Sequence, residues 1–154
     1  MHELESSTGA MQALGNHPLE DIEGWMLQQQ QVPCETTHHF GPNLYIREAA
    51  MPAGAIVMGH AHRNPCLNVM IKGKMAVLID GSVKVVEGPT TFVSPAGRKL
   101  AYIIEDVTIQ NVFATDETDV DKLEDLIVDK SDTWRAHELE ADTQLLLSSL
   151  GEGL

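Results

Sequence analysis

Residues 54–73 read Gly54-Ala55-Ile56-Val57-Met58-Gly59-His60-Ala61-His62-Arg63-Asn64-Pro65-Cys66-Leu67-Asn68-Val69-Met70-Ile71-Lys72-Gly73. Two histidines stand two residues apart in an apolar, strand-like run. Side chains alternate along a strand, so both imidazoles are expected on one face. Two nitrogen donors on one rigid face make half of a metal site. By the same alternation Cys66, Asn68 and Met70 share a face. An inward Asn68 must be hydrogen-bonded, to a histidine, a water or a ligand.

Working outward, Leu44-Tyr45-Ile46 reads as a strand and Pro52-Ala53-Gly54 as a turn. Ala55 to His62 is a second strand and Cys66 to Ile71 a third, with Gly73 turning it into Met75 to Ile79. Asp80-Gly81 is a two-residue hairpin signal, and Val83 to Val86 returns along it. Gly88-Pro89 and Pro95-Ala96-Gly97 are further turns, followed by a pair of strands, Leu100 to Ile104 and Val107 to Ala114. Short strands punctuated by Gly and Pro predict an all-β, antiparallel sandwich or barrel over residues 43–115.

The flanks differ in character. Residues 1–16 are small and polar and read as a flexible segment. Residues 17–42 read as a helix and a lead-in: Pro18 opens it, Leu19, Ile22 and Met26 form its stripe, and Pro33 stops it. Residues 116–154 read as a helical extension. One helix begins at Thr118, with Asp121 three residues on as an imperfect capping box. Val120, Leu123, Leu126 and Ile127 give its apolar side. A last helix from about Thr133 to Leu150 carries Leu139, Leu145, Leu146, Leu147 and Leu150, with Gly151 as its stop. That leucine cluster either packs on its own β core or forms a subunit or partner interface.

With 154 residues, 43% of them hydrophobic, the chain can form a single domain with a real core. Two cysteines, Cys34 and Cys66, do not make a disulfide framework and fit a reducing compartment. A net charge of −13 argues against nucleic acid as a partner, and no apolar run is long enough to span a membrane. The N-terminus lacks the pattern of a secretory signal, so the expected location is the cytoplasm. Acidic residues concentrate from Glu105 onward, which makes the tail the candidate for docking on a basic partner.

The segment Gly54 to Gly73 resembles the first motif of the cupin superfamily. Gly54 is followed by five residues, then His60-Ala61-His62, then three residues to Cys66 and six more to Gly73. The spacing is the motif's, with cysteine where the family has glutamate. Of the second motif, Pro95-Ala96-Gly97 remains, with Gly88 one residue too far upstream. Leu100 and Ile104 fall on the family's histidine and asparagine positions. Residues 43–127 also resemble small cupin-like proteins encoded by tailed bacteriophages, through the His-X-His, Phe92-Val93-Ser94-Pro95, Tyr102 with Glu105-Asp106, and the run Ala114 to Asp119.

The resemblance implies a cupin-type antiparallel jelly-roll barrel with helical extensions at both ends, commonly paired into a homo-oligomer. It implies a candidate metal set of His60, His62 and Cys66 for a divalent ion (zinc, iron, manganese or nickel), or no cofactor at all. Asn68 and Tyr102 are the candidate ligand-binding residues on the same cavity. No histidine occurs between His62 and His137, though His38 or His39 could fold over the barrel mouth. A Cys66–histidine nucleophile pair is the weakest reading, since nothing marks an oxyanion hole. Three functions stay open. The first is a non-enzymatic accessory protein, phage-encoded and virion- or assembly-associated, working through oligomer, virion or host-protein contacts. The others are a small-molecule binder and a metal-dependent dioxygenase or isomerase.

Overall fold

A computed structural model describes the backbone of residues 2–152 and the side chains of residues 6–150. Two helices, α1 (His2–Leu14) and α2 (Leu19–Leu27), precede the strands β1 (Glu35–Gly41), β2 (Leu44–Met51), β3 (Ile56–Met58), β4 (Ala61–His62), β5 (Cys66–Ile79), β6 (Ser82–Glu87), β7 (Thr90–Ser94) and β8 (Leu100–Ala114). The C-terminal extension is α3 (Val120–Ile127), β9 (Val128–Asp129) and α4 (Asp132–Glu152). The main sheet is antiparallel, in the order β1-β2-β8-β5-β6, with β3 added on β8 and β7 on β5. The all-β core with flanking helices is as the sequence predicts, but the sheet does not close into a barrel: β1 and β6 remain as separate edges.

The long strands β5 and β8 form the spine. Gly73 does not end a strand, as expected, but sits at an irregularity inside β5, where register shifts between Met70 and Met75. Its φ is +102°, and a Cβ there would lie 2.3 Å from the Asp106 carbonyl oxygen, so only glycine fits against β8. The two expected strands of residues 100–114 are likewise one, β8. The Asp80-Gly81 turn forms as predicted, with positive φ at both residues and Ile79 opposite Ser82.

Both faces of the second half of β5 are buried. Met75 and Val77 pack with Met70, Ile103, Val107 and Ile109 in the interior. Ala76 and Leu78 pack outward with Leu100 under Met11 of α1 and Ile22 of α2. Double burial explains the unbroken apolar run there, where a half-buried strand would alternate. It also corrects the reading of residues 1–16 as flexible: residues 2–14 are helical, and Met11 is 2% exposed. Residues 17–42 hold not only α2 but an edge strand, β1, exposed along its whole length.

In the extension, α3 is capped by Asp119, not by a box starting at Thr118. The Asp119 carboxylate accepts from the backbone N–H groups of Asp121 and Lys122. Only Leu123 of the α3 stripe is fully buried. β9 pairs with β4, which carries His62, and the side chain of Arg63 bonds Asp129 at 2.9–3.0 Å. Helix α4 continues through Gly151 to Glu152, so Gly151 is not its stop. Among the described residues no helix is long and apolar enough to cross a membrane.

Candidate functional site

The expected strand Ala55–His62 is broken at Gly59-His60 into β3 and β4. His60 therefore lies outside strand geometry, yet it and His62 still line one cavity of about 410 Å³. The break is held in place by Arg98, whose Nε donates to the Gly59 carbonyl at 2.9 Å. His62 is fixed through its backbone, exchanging hydrogen bonds of 3.0 and 2.9 Å with Gly97. The cavity lies between the open end of the sheet and a roof of α2, α3 and the first turn of α4.

Its walls are apolar on Met26, Leu27, Met51, Val57, Phe113, Leu123 and Ile127. Aromatic rings stack in sequence from one side of the cavity out to Phe40, which lies beyond its lining. His62 meets Phe113 at 6.1 Å between centroids, Phe113 stacks on Tyr45 at 5.8 Å, and Tyr45 stacks on Phe40 at 5.3 Å. On the other side Trp134 of α4 meets His60 edge-on at 5.0 Å. Nδ1 of His60 and Nδ1 of His62 are buried and have no hydrogen-bond partner. Burial holds both imidazoles below the ordinary histidine range, and nearby cations add to it: Arg98 and Lys130 at His60, Lys99 and Arg47 at His62.

The roof is fastened by a buried ion pair. Glu23 of α2 is 4% exposed. It receives both terminal nitrogens of Arg98, one at 3.1 Å, and the hydroxyl of Ser131. Ser131 in turn caps α4 by accepting from the Trp134 backbone N–H at 3.0 Å. Burial alone would raise the Glu23 carboxyl. The hydrogen bonds from Arg98 and Ser131 and the charge of Arg98 outweigh it and hold the group below the usual carboxylate range.

The other predicted residues are placed elsewhere. Cys66 is buried with its thiol against the carbonyls of Leu67 and Val112, and burial raises its pKa. Asn68 shares the face of Cys66 as expected and is 3% exposed. Its amide donates to Ser94 Oγ at 3.0 Å and to the Cys66 carbonyl at 3.1 Å, and it accepts from Asn111 at 2.6 Å. Protein groups alone thus satisfy it. Tyr102 faces away from the interior and packs beneath the N-terminal helices. Neither residue is among those lining the cavity, and Cys66 is not either. His38 and His39 lie in β1. His38 shares a 2.7 Å hydrogen bond with the Tyr45 hydroxyl, and His39 is 3.6 Å from Glu48.

A metal ion would need donors beyond His60 and His62. Among the described residues no three His, Cys, Asp or Glu side chains converge to hold one. The donor set therefore does not fit the three- or four-ligand centre that the resemblance implies. Sequence reasoning passed over Arg47, Trp134 and the Glu23–Arg98 pair. Arg47 carries a legible signal: it is a lone cation between Tyr45 and Ala49 at alternate positions of one strand, although its own side chain is exposed. The roof residues carry none, because their positions depend on how the extension folds back.

No protein-family model matches the chain, and no curated protein matches it. Several solved structures are similar. KdgF from Halomonas sp. shares 17% identity over 62% of this chain and 90% of its own, with a TM-score of 0.48. An RmlC-like cupin family protein with a double-stranded β-helix fold from Methanocaldococcus jannaschii shares 15% over 57% and 85%, with a TM-score of 0.45. The Cupin_2 domain of an XRE family transcriptional regulator from Enterobacter cloacae shares 12% over 51% and 93%, also at 0.45. Likeness at that level leaves activity, ligand and partner open.

Proposed function

We propose that this chain is a small-ligand-binding protein on a cupin-type β core, with its own C-terminal extension as the roof of the binding cavity. One observation carries the reading: His60 and His62 line a cavity of about 410 Å³ with buried nitrogens that no protein group satisfies. A buried, unbonded polar group costs about 1–3 kcal/mol, and a ligand group that bonds it removes that cost. The cavity size and its apolar walls with a few polar groups are those of small-molecule sites.

The test uses Trp134 as reporter. The chain has two tryptophans, so Trp25→Phe leaves Trp134 alone. Small fragments are screened by its fluorescence and by NMR of the imidazole resonances. The expected result is a set of fragments that perturb Trp134, His60 and His62 together. Thr36→Phe, which narrows the cavity from the exposed strand β1, should weaken them all. Fragments that leave the two imidazoles unmoved, or none that bind, count against the reading.

A second reading is favoured by a different observation. Leu139, Leu145, Leu146, Leu147 and Leu150 of α4 are 56–72% exposed. A helix so furnished suits an accessory protein that works by oligomer or partner contacts, such as a component of a phage virion or its assembly. Sedimentation of the full chain against a chain ending at Glu138 tests it. Identical monomers in both samples, with no partner lost, would remove it.

A further inference from the structure

We infer that the ligand of this cavity is a monoanion on an apolar body, of the class of hydrophobic carboxylates. The inference rests on the ligand-binding reading and names the chemistry that the same cavity selects.

The argument is an inventory of polar capacity. Two carboxylates line the cavity, and each has a partner. Glu23 is bonded by Arg98 and Ser131, and Glu124 stands 3.6 Å from Lys130. Arg98 is consumed by Glu23 and the Gly59 carbonyl. The Tyr45 hydroxyl is taken by His38, and the Gln31 amide by two backbone carbonyls. What remains without a protein partner is three buried nitrogens, Nδ1 of His60, Nδ1 of His62 and Nε1 of Trp134, together with the exposed Arg47 guanidinium and Thr36 hydroxyl. Among the described residues Arg47 makes no ion pair and no hydrogen bond; it lines the cavity from the face of β2 that carries buried Tyr45 and Ala49, with its own side chain open to solvent.

A guanidinium offers only donors, in a fork that matches a carboxylate. The imidazoles can complete its shell from the far side. Glu23 is committed to Arg98 and Ser131; Glu124 shares Lys130 with Glu138 and is the one lining acid left to meet a cationic ligand, which would also face Arg47. One uncommitted cation matches one negative charge, which favours a carboxylate over a phosphate dianion. The rest of the ligand must be apolar, because Met51, Val57, Phe113 and Leu123 offer it no hydrogen bonds.

The experiment compares three probes of equal length: 4-phenylbutyrate, 4-phenylbutanol and 4-phenylbutylamine. Each is titrated at neutral pH into the Trp25→Phe chain and read by Trp134 fluorescence and imidazole NMR. The acid should bind about 3- to 5-fold tighter than the alcohol, with the amine weakest, as expected for a charge-assisted pair with a solvent-exposed guanidinium. Arg47→Met and Arg47→Gln should each remove that preference while leaving the alcohol within about 2-fold of its original affinity, as loss of one ionic contact predicts. Equal binding of acid and alcohol, or a preference that survives both variants, overturns the carboxylate class but leaves the cavity reading standing. Failure of all three probes to bind overturns both.

Discussion

The two terminal helices invert what their compositions suggest. Helix α1 is small and polar with few large apolar residues, yet Met11 is among the most buried side chains in the molecule. Helix α4 carries five leucines, four of them near its end, and leaves all five exposed. The difference lies in what each helix meets. The outer face of β5 and β8 presents Ala76, Leu78 and Leu100, and α1 and α2 cover it. Helix α4 has 21 residues, roughly 31 Å at 1.5 Å per residue, and only its start is fastened to the body. Burial follows from an apolar face waiting for a partner, not from a helix's own store of leucine.

The first way to break this comparison is to cut the fastening that both helical layers use. Glu23→Ala leaves Arg98 buried without its counter-ion and removes the acceptor of Ser131. Losing one partner of a buried pair costs about 3 kcal/mol or more. Urea denaturation should show a loss of that size, and Trp134 fluorescence should report loosening of the roof before the core unfolds. The second is Met11→Ala, which opens a cavity against the sheet and should cost about 2 kcal/mol in the same assay. A change near zero would mean that α1 is only laid on the sheet and does not stabilise it.

Much of the core was readable because strands announce themselves by alternation and turns by glycine. Asp80-Gly81 fixed one hairpin, and the Cys66, Asn68, Met70 face is as alternation requires. Gly73 misled because the same residue serves a turn and a bulge, and only the approach of Asp106 from β8 tells them apart. The site was half legible. His60 and His62 do meet in one cavity, but for Asn68 alternation could name the face and not the partners waiting on it. Ser94 and Asn111 come from β7 and β8, long-range neighbours that no local pattern encodes. The roof over the histidines depends on residues 119–135 folding back onto β4, which again is tertiary information.

Acid separates the two kinds of buried group. His60 and His62 are held below their unfolded value of 6.5, so as pH drops the unfolded chain takes up their protons first, and stability declines from about that pH. Glu23 is held below 4.5, so its contribution is complete above that value and is lost as pH falls through its folded pKa. Both act in one direction but in two windows. Urea midpoints measured from pH 8 to pH 2 should fall in two stages. The double variant His60→Gln/His62→Gln should flatten the upper stage alone, and Glu23→Gln the lower. A single stage below pH 4.5 would show that the imidazoles are not effectively desolvated.

The smallest expected effect is the sharpest test of the helix comparison. Leu146→Ala removes as much side chain as a core truncation, but from a position 61% exposed. A surface substitution of this kind shifts stability by less than about 0.5 kcal/mol. In dilute solution the urea midpoint should therefore stay with the parent chain, while Met11→Ala moves well away from it. The comparison breaks if Leu146→Ala costs as much as Met11→Ala and the cost grows with protein concentration. Mass action would then place a second chain on α4, because only association makes stability depend on concentration. A cost independent of concentration would instead mean that the end of α4 packs on its own sheet in solution. The leucines would then have found the apolar face that the structure gives to α1 and α2.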